Sequence, residues 1–332
     1  MNAARNLHPA TVGVALVAAA SVLVLMGLAA GSEGWSFAWA SEWDLVSAIR
    51  APRAVGALLT GALLGLAGAI AQGLFRNPLA DPYLLGAAAG AGLGVVLVLA
   101  AGGLFGGVIG LANAAWLQHL GLVGAAFCGA LAGVSLTLAL ARGAARPMVL
   151  LLAGVVVGIV LGALADAVLL LAPEALRGKQ MFLLGSTSFL SWASVAALAT
   201  TLAVTAPLAL RFARALDALV LGEASATSLG LHLPHIRLLL VGLMALATGS
   251  AVAQAGLVAF VGLVAPHIVR SLVVVTHGPL LALSALAGAV LLLAADVAAR
   301  VIIAPQELPV GLLTAVLGGA YLMLLLRRRS AA

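Results

Sequence analysis

Apolar residues in this chain come in runs of roughly twenty, the length a helix needs to cross a lipid bilayer, and short polar clusters separate the runs. Reading from break to break predicts helices over 11–31, 53–75, 83–105, 119–141, 148–172, 192–212, 238–257, 259–275, 280–303 and 310–326. Two of these runs nearly merge. Gln254 and Gly256 interrupt the first, and "GLVAPHIVR" puts Pro266 and His267 near the end of the second, so they are read as separate helices. The most heavily punctuated break is "LFRNPLADPYLLG", residues 74–86, where Pro78 and Pro82 bias Asn77 and Asp81 away from helix. The first run, with Arg5 before it and "LAAGS" after it, has the outline of a secretory signal, but its apolar stretch is longer than such a signal needs. It is read as an uncleaved helix.

Composition turns this pattern into a class. Hydrophobic residues make up 64% of the 332 residues, charged residues 8%, and the mean hydropathy is +1.24. A soluble domain carries about a quarter charged residues, so the expectation is an all-α polytopic membrane protein, a single domain over residues 1–332. The 39 glycines include Gly61, Gly65 and Gly68, and Gly86, Gly90 and Gly94, at spacings that stack small residues on one helix face. Such faces let helix backbones approach closely where lipid supplies no hydrophobic drive. The single cysteine, Cys128, excludes an internal disulfide.

Charge sets the orientation, because Lys and Arg accumulate in cytoplasmic loops. With the N-terminus inside, eleven of the sixteen basic residues fall on the cytoplasmic side: Arg5, Arg76, Arg142, Arg146, Arg211, Arg214, Arg237, Arg270 and Arg327 to Arg329. Both termini are then cytoplasmic. Arg50, Arg53, Arg177, Lys179 and Arg300 are left outside.

Candidate chemistry is sparse. A phosphate-binding loop needs G-x-x-x-x-G-K-[ST], and the only lysine stands in "RGKQ". The six histidines are scattered, and the close pair His232 and His235 flanks Pro234 in a loop, so no metal site or cofactor is expected. Of the acids, Asp166 and Asp296 fall well inside apolar runs, where an ionisable group suggests function. Asp296 has Arg300 one helical turn on, which favours an ion pair. Asp166 has no partner at helical spacing; it either faces a water-filled path or lies nearer the membrane edge.

The longest cytoplasmic stretch runs from about 213 to 237. Within it "GEASATSLG" reads as a short helix, with Glu223 in the first turn against the helix dipole, Ala226 and Leu229 on one face, and Gly230 as a left-handed stop. That is a plausible docking ridge for another protein.

Six stretches together resemble one family: "RAPRAVGALLTGALLGLAGAIAQGLFRNPLADPYLLG", "LLLAGVVVG", "LGEASATSLGL", "GLVAFVGLVAPHIVR", "ADVAARV" and "ELPVGLLTAVLGG". The family is that of the permease subunits of ATP-driven importers for vitamin B12, haem and iron-siderophore complexes. The resemblance implies a ten-helix subunit in the bacterial inner membrane, forming a homodimer with the path at its two-fold axis. It also implies two cytoplasmic ATPase subunits and a periplasmic binding protein as partners, with no nucleic acid and no enzymatic activity in this chain. By resemblance, Gly222, Glu223, Ala224, Ser225, Ala226, Leu229 and Gly230 dock on the ATPase. Arg50, Arg53 and Arg300 form a cationic rim that meets acidic lobes of the binding protein. Asn77 and Leu79, with Arg146 and Pro147, form the cytoplasmic gate.

The expected function is import of an iron complex, haem first, with a ferric siderophore or cobalamin as alternatives. A different class remains open: an ion-coupled carrier using Asp166 as its coupling acid.

Overall fold

The computed structural model describes residues 7–31, 34–37, 39, 41–109, 115–143 and 147–330. Ten helices match the ten predicted runs. They are α1 (Pro9–Ala29), α3 (Ala51–Phe75), α4 (Ala87–Ile109), α5 (Ala115–Leu140), α6 (Pro147–Leu171), α8 (Trp192–Arg211), α11 (Leu233–Ala255), α12 (Val261–Leu272), α13 (His277–Val301) and α14 (Val310–Ser330). Seven apolar segments are long enough to cross a membrane, and shorter ones lie at Ala87–Gly102, Val261–Leu272 and Val310–Leu324. Four further helices complete the series: α2 (Trp43–Leu45), which runs into α3 through a π-helical turn, α7 (Ala175–Leu184), α9 (Ala213–Val220) and α10 (Glu223–Ser228). Helix α10 is the short helix expected in the cytoplasmic stretch. Helices α7 and α9 were not foreseen, because each is too short to produce a span-length run.

Helix α3 is the axis of the bundle. Of its residues from Gly61 to Leu74, every one is buried, and α13, α11, α12 and α8 pack around it. The reason is in its small residues. A Cβ at Gly61 or Gly65 would fall far inside contact distance of the Gly288 or Ser284 carbonyl oxygen of α13, and one at Gly68 would strike Gly262 of α12. Helices α4 and α5 meet in the same way, Gly90 against Gly129 and Gly94 against the Ala125 carbonyl. Backbone-to-backbone contact of this kind gains dispersion energy along whole helices, the main attraction available inside lipid.

The split between α11 and α12 is real and has a local cause. Gly256 ends α11 with φ +69° and Phe260 starts α12 with φ +68°, a left-handed conformation rare for a bulky residue. Between them the unwound chain is held by bonds from Leu257 N–H to the Phe182 carbonyl (3.0 Å) and from Ser186 N–H to the Ala255 carbonyl (2.8 Å). The backbone groups freed by the break are thus satisfied by the end of α7, as they must be away from water.

Charge is segregated between the two ends of the bundle. Arg50, Arg53 and Arg300 gather at one end, Arg76, Arg237 and Glu223 at the other, as the orientation read from the sequence requires.

Substitution at these contacts separates packing from propensity. Gly65→Ala drives a methyl into the α13 backbone and should destabilise the protein by about 1–3 kcal/mol. Gly242→Ala, where a Cβ meets nothing, should be neutral or stabilising by up to about 1 kcal/mol. Thermal unfolding of the two variants in the same detergent measures the difference.

Candidate functional site

At the outer end, Asp296 of α13 is fully buried and holds two guanidiniums at once. Arg53 Nε of α3 lies 3.0 Å from its Oδ1, Arg300 Nη2 bonds its Oδ2, and Thr187 Oγ donates to Oδ1. Arg53 turns its other nitrogen to Glu307, at 2.8 and 3.0 Å from the two carboxylate oxygens, and Ser188 Oγ donates to the same group. Arg300 also donates to the Gly27 carbonyl of α1 (2.9 Å). One network therefore ties α1, α3, α13, the turn after α7 and the segment before α14. The expected pair of Asp296 and Arg300 is present.

The three arginines expected in the cationic rim are paired within the chain. Arg300 is 1% exposed, Arg53 7% and Arg50 8%, and each has an in-chain carboxylate: Asp296, Glu307 with Asp296, and Glu42 at 3.0 Å. A guanidinium at this depth without a partner would be costly, so the chain supplies the acids itself. Glu307 was within a recognised stretch but had no role assigned, and nothing in the sequence around Thr187 singled it out.

At the inner end, residues 76–86 form a compact double turn. Arg76 ends α3 with φ +49°, Asn77 Oδ1 accepts from Leu79 N–H (2.9 Å), and Asp81 Oδ1 accepts from Tyr83 N–H (2.8 Å) to cap the short 3₁₀ helix Pro82–Leu85. Asn77 thus closes its own turn, and Asp81 caps the next. Burial pushes the Asp81 carboxyl up to about 6, against the Tyr83 N–H bond that favours its charged form. Tyr83 Oη donates to the Val258 carbonyl (3.1 Å), and a Cβ on Gly262 would lie 2.9 Å from Pro82. A Cβ on Gly154 of α6 would run into the Leu84 carbonyl. The 76–86 connection and α6 are therefore in direct contact, and Pro147 is the first residue of that helix. Leu79 is exposed at the tip of the turn; Arg146 lies outside the described residues.

The cytoplasmic stretch places its residues unevenly. Ala226, expected on the docking ridge, is fully buried against the chain itself. The exposed surface is made by Glu223, Ala224, Ser225 and the run Thr227 to Gly230, with Leu221 and Val220 beside them. Glu223 Oε1 lies 2.6 Å from Arg237 of α11 and 3.7 Å from Arg76 of the 76–86 connection. Gly222, with φ +102°, makes the turn into α10 in a conformation that favours glycine.

Asp166 is exposed and ion-paired. Its side chain is 70% exposed near the end of α6 and pairs with Lys179 of α7, a partner thirteen residues on that helical spacing could not reveal. Among the described residues no group of three or more His, Cys, Asp or Glu is placed to hold a metal ion.

Comparison with known proteins agrees with this architecture. Residues 9–328 match the model of the FecCD transport family. The chain is 39% identical over 282 residues to the Fe(3+) dicitrate transport system permease protein FecD of Escherichia coli K12, covering 84% of both chains. It is 39% identical to the hemin transport system permease protein HmuU of Yersinia pestis, over 86% of this chain and 84% of that one. Identity to the vitamin B12 import system permease protein BtuC of Salmonella paratyphi A is 38%, over 91% of each. A solved structure described as a metal-chelate type ABC transporter in an inward-facing conformation superposes with a TM-score of 0.83 at 25% identity, over 96% of this chain and 99% of that one. A polytopic helical bundle in a bacterial inner membrane, matched to one family model along nearly its whole length, this chain belongs to the FecCD transport family of ABC importer permeases.

Proposed function

We propose that this chain, as a homodimer, forms the membrane path for a large metal chelate, and that ATP hydrolysis in two separate cytoplasmic subunits drives inward movement. The observation that carries this reading is the pair of contacts made by Glu223. It joins the exposed α10 segment to Arg76 of the inner connection, so a push on that segment by a docked subunit reaches the turn bearing Asn77 and Leu79. In this reading those two residues, with Arg146 and Pro147, close the path on the cytoplasmic side. Gly222 to Gly230 form the coupling segment, with Leu229 and Leu221 as its apolar contact and Ala226 as its internal anchor. The pairing of Asp166 with Lys179 weighs against a free coupling acid and so supports the ATP-driven reading over an ion-coupled carrier.

The cargo is proposed as a class. Relatives named for ferric dicitrate, hemin and vitamin B12 stand at nearly equal identity, and haem is the first ligand to test. Uptake into vesicles holding the chain and its ATPase should require ATP and persist when ion gradients are collapsed. Uptake that stops with the gradient and ignores ATP overturns the proposal. Leu229→Arg should leave the assembled chain folded while reducing ATP-driven uptake about tenfold or more, as a charge in a desolvated contact does. Equal uptake by that variant removes Leu229 from the contact.

Docking of the periplasmic binding protein is proposed over the outer end, with Arg50 reached through its part-exposed partner Glu42, and Arg53 and Arg300 in the network beside it. An acidic lobe then competes with Glu42 for Arg50. Two substitutions distinguish the rim from its support. Glu42→Gln should tighten docking by up to about fivefold at low salt, and Arg50→Glu should weaken it. Asp296→Asn instead leaves two buried guanidiniums short of a counter-charge and should cost about 3–5 kcal/mol of folding stability. Surface-bound partner titration reads the first pair, and thermal unfolding reads the last.

A further inference from the structure

A polar cleft lies at the inner end, sharing Arg76 and Asn77 with the connection and extending from them to α12 and α13. It encloses about 360 Å³ and is lined by Gln72, Arg76, Asn77, Arg270 and His277, with Val220 and Leu280 on its apolar side. Arg270, half-buried at the end of α12, is held by Gln72: the Gln72 amide donates to the Leu263 carbonyl (3.1 Å), which leaves its oxygen to accept from Arg270 Nη1. Gln72 is a neutral partner. Among the described residues, no carboxylate forms an ion pair with Arg270.

The nearby acids are already engaged. Asp217 of α9 accepts from both His277 N–H (2.9 Å) and His277 Nδ1 (2.7 Å), and Glu223 is shared between Arg237 and Arg76. The N-terminal end of α13 adds nothing to this site, because its first N–H, on His277, is already taken by Asp217. A Gln-held guanidinium without a carboxylate partner and a second, exposed arginine converge on one space. A Gln-held arginine fork with a second guanidinium beside it favours a tetrahedral oxyanion.

We propose that this cleft binds a phosphate group at the cytoplasmic face, bridging the 76–86 connection to α12 and α13. The volume exceeds that of one phosphate, so the group can arrive free or as the headgroup of an anionic phospholipid, the two sources sharing the same chemistry.

The test uses the full chain and needs no transport, so it is independent of the proposed cargo and coupling. Inorganic phosphate is titrated against the detergent-purified protein at constant ionic strength, with chloride as the reference, and thermal unfolding is followed. In parallel, the protein is placed in phosphatidylcholine nanodiscs with and without phosphatidylglycerol. Wild type and Arg214→Gln, a surface arginine outside the cleft, should show the same stabilisation. Arg270→Gln and Arg76→Gln should need about tenfold more phosphate, or lose the lipid response, and Arg270→Lys should recover part of it. A response to phosphate alone identifies the free anion, and a response to phosphatidylglycerol alone identifies a headgroup. Because Arg76 is exposed, its loss tests the site even if Arg270→Gln fails to fold. No stabilisation by either anion, or an equal response in all variants, overturns the proposal.

Discussion

Everything in this bundle is arranged around the contact between α3 and α13, where two helix backbones touch through Gly61, Gly65 and Gly288 with no side chain between them. In water such a contact would be a minor addition to a hydrophobic core. In lipid, where apolar side chains gain nothing by leaving their neighbours, close approach of backbones is the main source of specificity. That contact fixes the rotation of both helices, and the rotation in turn decides which polar side chains face inward at each end. Asp296 and Arg300 follow from it on one side. At the other, Gln72 and His277 are brought within reach of the same cleft.

The two ends solve opposite problems. Outside, charges are buried and must be balanced within the chain, which Asp296, Glu307 and Glu42 do for Arg53, Arg300 and Arg50. A network that joins five segments by ion pairs and hydrogen bonds resists rearrangement, because breaking any member strands another. Inside, contacts are fewer and more open: Glu223 reaches Arg76 at 3.7 Å, and both side chains are 45% exposed. A firm outer end and a looser inner end are what the coupling proposed above requires.

The span-length runs carried most of the architecture in plain view, since a helix crossing lipid must satisfy its backbone internally and be apolar for about twenty residues. The glycine spacing also pointed to its own use. Helix α7 escaped because ten residues with Arg177 and Lys179 among them do not look like a span, and its role in covering the α11–α12 break depends on contacts across seventy residues of chain. Family resemblance drew attention to the 222–230 segment and the 76–86 connection. It could not tell that Ala226 faces inward or that the outer arginines are already paired, because both depend on which side of a helix meets its neighbour. Asp166 shows the limit most clearly: its partner lies beyond a turn, on a different helix.

One consequence of the charge placement concerns the electric field across the membrane. The charges around the fully buried Asp296 are mutually neutralised. A membrane potential does work only on charge that moves through it, about 2.3 kcal/mol per elementary charge per 100 mV. The set of Arg53, Arg300, Asp296 and Glu307 carries two positive and two negative charges, so displacing it as a unit would move no net charge along such a field.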